Sequence, residues 1–269
     1  MPFTEQIKNE VVFRTADGLT AAGGAVHGFS TRLGGVSGGI WASMNLGVTR
    51  GDDPRAVEEN YRRFRAAMGG TEGPLVKTNQ IHQATVRTIT AADLGRGLHQ
   101  REPDADGLVT NLPGVTLAVY SADCIPVLLY DPVKRVIAAA HAGWRGTALK
   151  IAAEAVRKMA REFGSDPAHI RGAIGPGIGS CCFETHNDVP DAMLAAYGEG
   201  ARAYITGLPG GKFRVDLKGL NAFALGEAGV PAGQIEVDSD CTACHPEKYW
   251  SHRRVGQERG SMAALIELL

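Results

Sequence analysis

The stretch that most constrains the fold is residues 115–147, which read VTLAVYSADCIPVLLYDPVKRVIAAAHAGWRGT. It contains two apolar runs, 125–130 and 135–140, and each is as long as one buried strand. The sequence DPVK between them predicts a turn, so we expect the two runs to pair as an antiparallel hairpin. Residues 115–120 form a further strand candidate that leads into the hairpin.

The hairpin would bring two reactive side chains together. Cys124 directly precedes the first run and His141 directly follows the second. The pair fits a nucleophilic cysteine with a histidine base, or two soft metal ligands. Cys124 could also simply pack in the core, as free cysteine often does. The nearby Asp123, Trp144 and Arg145 favour a functional site, because a core has no use for polar and reactive groups.

Composition predicts an ordinary globular chain. The 269 residues, 44% hydrophobic and 21% charged, suit one domain over 1–269. A net charge of −1 provides no basic surface for nucleic acid or an anionic membrane. The N-terminal residues lack a signal-peptide core and no run is long enough to span a membrane. We therefore expect a cytoplasmic protein without nucleic-acid or membrane partners. No sequence feature sets the oligomeric state, and a monomer is expected.

The cysteines predict reduced thiols or metal ligands, because five is an odd number and the chain shows no export signal. Cys181 and Cys182 are adjacent, so on a strand they would point to opposite faces, and at most one is expected to line a site. Cys241-x-x-Cys244 is half of a zinc ribbon. Without a second CxxC it is a weak indication of structural zinc.

Other elements are predicted from caps and periodicity. Asp52-Asp53-Pro54 predicts the start of a helix that ends at Gly69-Gly70. A second helix is expected to run from a Thr147 cap to about Phe163, which places Arg145 near a helix N-terminus that favours anions. The C-terminal apolar run is expected to be an edge strand. Mixed hairpins and crossovers indicate an α/β fold with mixed sheets.

Four polar residues lie ahead of predicted strands. Gln80 and His82 precede a strand at 85–89, and a single histidine in such a place is more often structural than a ligand. Asp104 and Asp106 are most simply residues of a turn.

The motifs together resemble one family across nearly the whole chain. In order they are HGFSTRLGGVS, ASMNLG, NQIH, ADGLVT, SADCIPVLLYDP, AAHAGWRGT, IGPGIGSCCFE and CTACHPEKYWSHRR. This family was first described as multicopper polyphenol oxidase (laccase) and later as purine nucleoside phosphorylase, and it is related to the human laccase-domain protein. The resemblance implies a four-layer α/β/β/α fold with mixed sheets, like a bacterial cytotoxin's catalytic domain. It also implies that His82, Cys124 and His141 bind Zn²⁺, with copper as an adventitious metal.

The same resemblance implies an activity and its partners. These are phosphorolysis of purine nucleosides, methylthioadenosine included, and deamination of adenosine, with nucleoside and phosphate as small-molecule partners. Arg32 and Arg145 are the candidates for phosphate binding, and Asp123 or Glu184 for proton donation to the leaving base. The candidate substrate-binding residues are Arg32, Asn45, Gln80, Arg145 and Glu184, and the candidate catalytic residues are Cys124, His141 and Asp123.

One departure from the family concerns anion binding. The family commonly ends in a block similar to T-G-R-x-A, whereas residues 259–263 read RGSMA, with Ser261 where arginine is usual. If the family arginine helps to bind an anion, Arg259 could substitute for it, or the substrate preference could differ.

Three other functions compete with this one. A multicopper oxidase needs many histidines in His-x-His pairs, and the eight histidines here form no such pair. An amidase that removes a wrongly added serine from a UDP-muramoyl precursor would use the same Cys124, His141 and His82. A metal-stabilised binding module without catalysis is a third alternative, against which an open coordination position argues.

Overall fold

The computed structural model describes residues 3–269. Within that range the strands are β1 Phe3–Lys8, β2 Val11–Ala16, β3 Ala25–Ser30, β4 Leu75–Lys77, β5 Val86–Thr88, β6 Gly107–Thr110, β7 Thr116–Ser121, β8 Ile125–Asp131, β9 Val136–Ala142, β10 Arg171–Ile174, β11 Glu184–Thr185, β12 Ile205–Leu208, β13 Lys212–Val215, β14 Ile235–Val237 and β15 Met262–Leu268. The α-helices are α1 Asp17–Ala22, α2 Pro54–Met68, α3 Trp144–Ala148, α4 Ile151–Phe163, α5 Asp188–Tyr197, α6 Leu217–Glu227 and α7 His252–Val255.

The strands form two large mixed sheets and one small sheet. The first sheet has the order β1-β2-β3-β15-β7-β4, and the second has the order β14-β10-β8-β9-β6-β5. Each contains antiparallel pairs and at least one parallel pair, such as β4 with β7 and β5 with β6. The third sheet, β11-β13-β12, has three antiparallel strands.

Apolar packing stacks these elements in four layers. Phe29, Leu117 and Leu128 belong to a buried cluster between the two large sheets. The outer face of the first sheet is covered by α2, whose buried Phe64 packs with Phe13. The outer face of the second sheet packs on α4 and α6. This arrangement confirms the expected α/β/β/α fold with mixed sheets. Likeness to the cytotoxin domain stays a prediction, as does a single domain over 1–269, of which residues 1 and 2 lie outside the described range.

The central hairpin forms as the sequence predicts. β8 and β9 pair antiparallel, with Ile125 opposite Ala142 and Pro126 opposite His141. Both strands are buried along their whole length. In the turn, the Asp131 carboxylate accepts hydrogen bonds from the backbone N–H groups of Val133 and Lys134. The preceding strand β7 belongs to the other sheet, so the chain crosses between the two sheets at residues 122–124.

Two expectations from the sequence are wrong. The helix expected from Thr147 to Phe163 is broken at Lys150, which has a left-handed backbone (φ 57°), so Thr147 lies inside α3 and does not cap α4. The C-terminal strand β15 is central in the first sheet, between β3 and β7, and not at an edge. Every residue of β15 is buried, because both faces of this strand are covered.

A buried histidine couples the first sheet to pH. His27 on β3 is 4% exposed, and its Nε2 accepts a hydrogen bond from the Ala16 backbone N–H at 2.9 Å. Burial lowers the pKa of His27 from 6.5 to about 4, although the charge of Asp17 opposes the shift. Because the pKa of His27 is lower in the folded chain, the unfolded chain binds more protons at this residue below pH 6.5.

We expect this site to contribute stability that is complete above pH 6.5 and lost as the pH falls towards 4, amounting to about 3 kcal/mol at the acid end. A His27→Gln variant keeps an acceptor for the Ala16 N–H but does not titrate. Urea unfolding across this pH range should therefore give it a flatter stability profile than the wild type. The exposed His169→Gln serves as the control and should keep the wild-type slope. An unchanged slope in His27→Gln would contradict the assignment.

No helix among residues 3–269 has the length and apolar character needed to cross a bilayer.

Candidate metal centre

Three potential metal ligands from separate parts of the chain converge at one point. His82 lies in the loop between β4 and β5, Cys124 in the turn between β7 and β8, and His141 near the end of β9. Their donor atoms all lie within 4.8 Å of one another. The two imidazole rings are 4.9 Å apart and tilted by 70°. This trio could hold a metal ion.

The hairpin and one glycine explain how the donors approach so closely. Because Pro126 pairs with His141, Cys124 lies beside the end of β9. Gly143 follows this strand, and a Cβ at its position would lie 2.7 Å from His82 Nδ1 and 3.1 Å from Cys124 Sγ. Because Gly143, in the AAHAGWRGT motif, has no side chain, His82 and Cys124 can approach each other here without a steric clash.

A buried aspartate orients both histidines. Asp106 is fully buried, and its Oδ1 lies 2.9 Å from His141 Nδ1. The same carboxylate accepts hydrogen bonds from the backbone N–H groups of Ile81, His82 and Gln83 at 2.9–3.1 Å. These bonds hold His82 in a left-handed conformation (φ 60°). A carboxylate on Nδ1 leaves His141 Nε2 for a metal, as in carboxylate–histidine–zinc triads.

The charges of the centre shift the titration of its members. Burial alone would lower the pKa of His141, but Cys124 and the hydrogen bond to Asp106 raise it to about 9. Burial and the charge of His141 lower the pKa of His82. Burial alone would raise the pKa of Asp106, yet the hydrogen bonds from His141 and the loop N–H groups hold it below its usual value. Metal binding at neutral pH therefore has to displace a proton from His141.

The three donors line a cavity of about 500 Å³. Its walls come from four loops, from the end of β9 and from the segment before β15. The lining residues are Gly47, Val48, Thr49, Arg50, Lys77, Thr78, Asn79, Gln80, His82, His99, Gln100, Arg101, Glu102, Tyr120, Ser121, Ala122, Cys124, His141, Arg259 and Ser261. A cavity of this size accommodates a small molecule such as a nucleoside.

Two arginines lie side by side in the cavity wall. Arg259 is 6% exposed; its Nη1 donates to the Gly260 carbonyl at 2.8 Å, and its Nε has no protein partner among the described atoms. Arg50 donates to Ser261 Oγ and to Gln257 Oε1. Burial and the charge of Arg50 lower the pKa of Arg259 to about 10, so it stays charged at neutral pH. Within residues 3–269 neither arginine forms a salt bridge. No carboxylate of the described residues therefore balances the charge of this pair.

The two arginines predicted to bind phosphate lie elsewhere. Arg32 is not in the cavity wall, since its guanidinium stacks on Trp250 at 3.7 Å and donates to the carbonyls of Pro246 and Ala42. Arg145 is exposed, stacks on its neighbour Trp144 and also lies outside the wall. Both arginines thus lie outside the cavity wall, and phosphate binding by Arg32 or Arg145 stays a prediction.

Of the other predicted substrate-binding residues, only Gln80 lines the cavity. Its side chain bonds to both backbone groups of Tyr120, at 2.6 and 3.0 Å. Asn45 is fully buried, and its Oδ1 accepts from the Gly47 and Ser261 N–H groups, so it positions the wall without lining it. Glu184 lies on β11, outside the wall, and pairs with Lys212 at 2.6 Å.

Asp123 adjoins Cys124 but faces away from the cavity. Its carboxylate accepts hydrogen bonds from Thr242 Oγ1 at 2.6 Å, from Ser251 Oγ at 3.0 Å and from the Arg253 N–H at 2.6 Å. Three donors on one buried carboxylate fix its orientation, which indicates a positioning role. The expectation that Asp123 or Glu184 donates a proton to a leaving base therefore finds no support in the placement of either residue.

Sequence reasoning missed Asp106, Gly143 and Arg50. Asp106 was expected to be a turn residue, and nothing in the sequence indicates its contact with His141, 35 residues away. Gly143 could have been identified from the sequence, because it lies in the AAHAGWRGT motif. No sequence feature points to Arg50, whereas Arg259 is indicated by the departure from the family block at residues 259–263.

Fold and site together define a mixed α/β protein in which two histidines and a cysteine, able to hold a metal, face a small-molecule cavity. A family profile described as multi-copper polyphenol oxidoreductase laccase matches residues 26–269, and the chain belongs to this family. The match confirms the resemblance seen in the motifs.

The chain is similar to named relatives and to proteins of known structure. The chain is 36% identical, over 90% of each chain, to "Purine nucleoside phosphorylase YlmD" of Geobacillus stearothermophilus. It is 33% identical to "Adenosine deaminase RL5" of an unknown prokaryotic organism, over 87% of this chain and 91% of that one. The crystal structure of the Bacillus licheniformis hypothetical protein YfiH has a TM-score of 0.92 at 34% identity, over 100% and 99% of the two chains. The enzyme names agree with the expectation that this chain is an enzyme.

Proposed function

We propose that this protein is a zinc-dependent purine nucleoside phosphorylase that also accepts methylthioadenosine. The observation that carries the proposal is the pair of half-buried Arg50 and buried Arg259, which line the same cavity wall as the His82–Cys124–His141 trio. Neither arginine has a carboxylate partner among residues 3–269. Desolvated guanidinium groups are costly unless an anion pairs with them. Inorganic phosphate, the second substrate of a phosphorylase, is an anion that arginine forks match.

The donor set supports zinc as the metal. Nitrogen and sulfur donors in a three-ligand arrangement with one open side are typical of catalytic zinc sites. His82, Cys124 and His141 would hold the ion, and Asp106 would fix the orientation of His141. When bound, zinc supplies a Lewis acid that polarises a nearby oxygen and lowers the pKa of water to about 7.

The chain's own residues would position the reactants. In phosphorolysis a phosphate oxygen bonds to the ribose C1′ while the bond from C1′ to the base nitrogen breaks, and the base leaves with a proton. Arg50, Arg259 and the Ser261 hydroxyl would hold the phosphate. Gln80, which is hydrogen-bonded to the Tyr120 backbone, lines the same cavity and would contact the nucleoside. The proton for the base would come from a group in the cavity wall and not from Asp123 or Glu184.

Adenosine deamination is the second candidate function. It is favoured by the three-ligand centre that faces the cavity with one open side, and by similarity to a relative named as an adenosine deaminase. Hydrolytic deamination needs no phosphate, so its requirements differ from those of phosphorolysis.

A product assay separates the candidates. Purified zinc-loaded protein is incubated with adenosine, with and without phosphate, and in parallel with UDP-muramoyl-serine and with a phenol plus copper. Adenine and ribose 1-phosphate that form only with phosphate support the proposal; inosine without phosphate supports deamination. Release of serine, or phenol oxidation by the copper-loaded protein alone, would replace the proposal with the amidase or oxidase. No product from any substrate would favour a binding module.

The arginine pair gives a prediction specific to phosphate. We expect Arg259→Gln to raise the KM for phosphate at least tenfold, since a hydrogen bond to a charged group contributes about 1.5–3 kcal/mol. Inosine formation without phosphate should change little. Arg32→Gln is the matched control, because Arg32 lies outside the cavity wall. Steady-state kinetics with varied phosphate would contradict the assignment if the two variants behaved alike.

A further inference from the structure

A second group of potential ligands lies outside the cavity. Cys181 and Cys182 occupy the turn after β10, and Cys241 and Cys244 lie in the loop after β14. The four Sγ atoms all lie within 4.8 Å of one another. The turn is thus not a strand with alternating faces, and the expectation that at most one of the adjacent cysteines serves a site is wrong.

Three of the sulfur separations are close to those in a tetrahedral metal site. The Sγ atom of Cys244 lies 3.5 Å from that of Cys181 and 3.4 Å from that of Cys182, and the latter two are 3.7 Å apart. A disulfide requires about 2.05 Å. Four sulfurs at about 2.3 Å from one zinc ion in a tetrahedron are about 3.8 Å apart. These three separations are close to those of a Cys₄ zinc site, and Cys241 Sγ lies within 4.8 Å of the other three sulfurs.

Backbone groups support the cluster as they support bound thiolates. The Gly179 N–H donates to Cys241 Sγ at 3.1 Å, and hydrogen bonds of this kind stabilise ligands of a metal. A Cβ at Gly179 would lie 3.1 Å from Cys241 Cβ and 3.2 Å from Cys181 Sγ. Gly177 pairs with Cys241 as a parallel bridge, so the two segments are already in register.

The charge around the cluster suits a zinc tetrathiolate, which carries two negative charges. Arg253 Nη1 donates to the carbonyls of Cys182 and Glu184 at 3.1 and 3.0 Å. Arg254 Nε donates to the Ala243 carbonyl at 2.6 Å. Among the residues that the structure describes, neither arginine forms a salt bridge with a carboxylate. Arg253 and Arg254 thus place two positive charges, not balanced by a described carboxylate, next to the segments that carry the four sulfurs.

We propose that Cys181, Cys182, Cys241 and Cys244 bind a structural Zn²⁺ ion, separate from the metal centre in the cavity. The four thiols lose their protons on binding, and no redox partner is needed. This zinc site joins the turn after β10 to the loop after β14. The same loop carries Thr242, and Ser251 and Arg253 follow it, so all three donors to Asp123 lie on the tethered segment. Because Asp123 adjoins Cys124, the zinc site also helps to hold Cys124, the cysteine of the metal centre in the cavity, in position.

Metal content of the full chain, purified without a histidine tag or chelator, tests the proposal independently of any catalytic activity. We expect two zinc ions per chain in the wild type and one in Cys124→Ala. The double variant Cys181→Ser/Cys244→Ser should lose the structural ion, whereas Ser180→Ala, in the same exposed turn, should keep it. If the cavity centre held no zinc, wild type and Cys124→Ala would both hold one ion, and the structural site would stand while the proposed function would not.

Cobalt substitution in Cys124→Ala reports the ligands without relying on a variant of the cluster. With Cys124 absent, intense thiolate-to-cobalt charge-transfer bands and tetrahedral ligand-field bands can arise only from the four-cysteine site. Metal-free Cys124→Ala, cobalt without charge-transfer bands, or disulfides between these cysteines in protein isolated without reductant would each overturn the proposal.

Discussion

Replacing Cys124 by alanine is expected to weaken metal binding at the cavity centre by about 10²–10³-fold. Zinc binding by four protein ligands is worth about 10–16 kcal/mol, so one ligand accounts for about 3–4 kcal/mol. Cys124 is the only sulfur of the trio, and its removal leaves two histidines that cannot compete with water and buffer for zinc. Turnover of adenosine should fall with metal occupancy at ordinary zinc concentrations.

The measurement is a zinc-affinity titration with a competing chelator, combined with activity at each occupancy. His99→Ala is the matched control, because His99 also lines the cavity but lies outside the trio. It should keep wild-type affinity for zinc. Cys124→Ala that binds zinc as tightly as the wild type yet is inactive would contradict the ligand assignment and favour a nucleophilic cysteine. Iodoacetamide gives a second test, since a metal-bound Cys124 should react only after chelation.

The sequence predicts the central part of this site well. Two apolar runs joined by a turn sequence can bury their side chains in few ways, so the hairpin and the meeting of Cys124 with His141 follow from local information. The start of α2 at Pro54 is equally local: the Asp53 side chain accepts a hydrogen bond from the Arg55 N–H and caps the helix.

The errors arise where the structure depends on packing between distant segments. β15 lies between β3 and β7 and pairs with both. The sequence of a single apolar run does not reveal which strands will be its neighbours. Lys150 breaks the expected helix although its sequence context favours continuation. Cys181 and Cys182 converge with the CxxC pair because they lie in a turn, where the alternation of a strand does not apply.

Asp106 shows the same limit at the centre itself. A short acidic residue before a glycine is typical of a turn, and Asp106 precedes Gly107. Asp104 nearby is exposed and bonded to Asn79 and Arg101. Asp106 differs from Asp104 only in its place in the fold. It is fully buried between the His82 loop and His141, and it satisfies three N–H groups and one imidazole.

Asp106→Asn is therefore expected to lower zinc affinity and activity by about 10–100-fold, the usual cost of losing a carboxylate that orients a histidine ligand. An amide can place only one oxygen among the four donors, so its NH₂ must face either His141 or an N–H group of the 81–83 loop. Either orientation leaves a buried donor without an acceptor, which should also cost about 1–3 kcal/mol of unfolding free energy.

Zinc titration, activity and urea unfolding of Asp106→Asn and Asp104→Asn give a matched comparison. Asp104→Asn makes the same chemical change two positions away at an exposed site, and it should stay within about 0.5 kcal/mol of the wild type. If Asp106→Asn lost stability but kept full zinc affinity, the aspartate would only tie the 81–83 loop to the fold. If it lost zinc affinity by far more than its stability predicts, then the bond from Asp106 to His141 makes the imidazole a competent ligand.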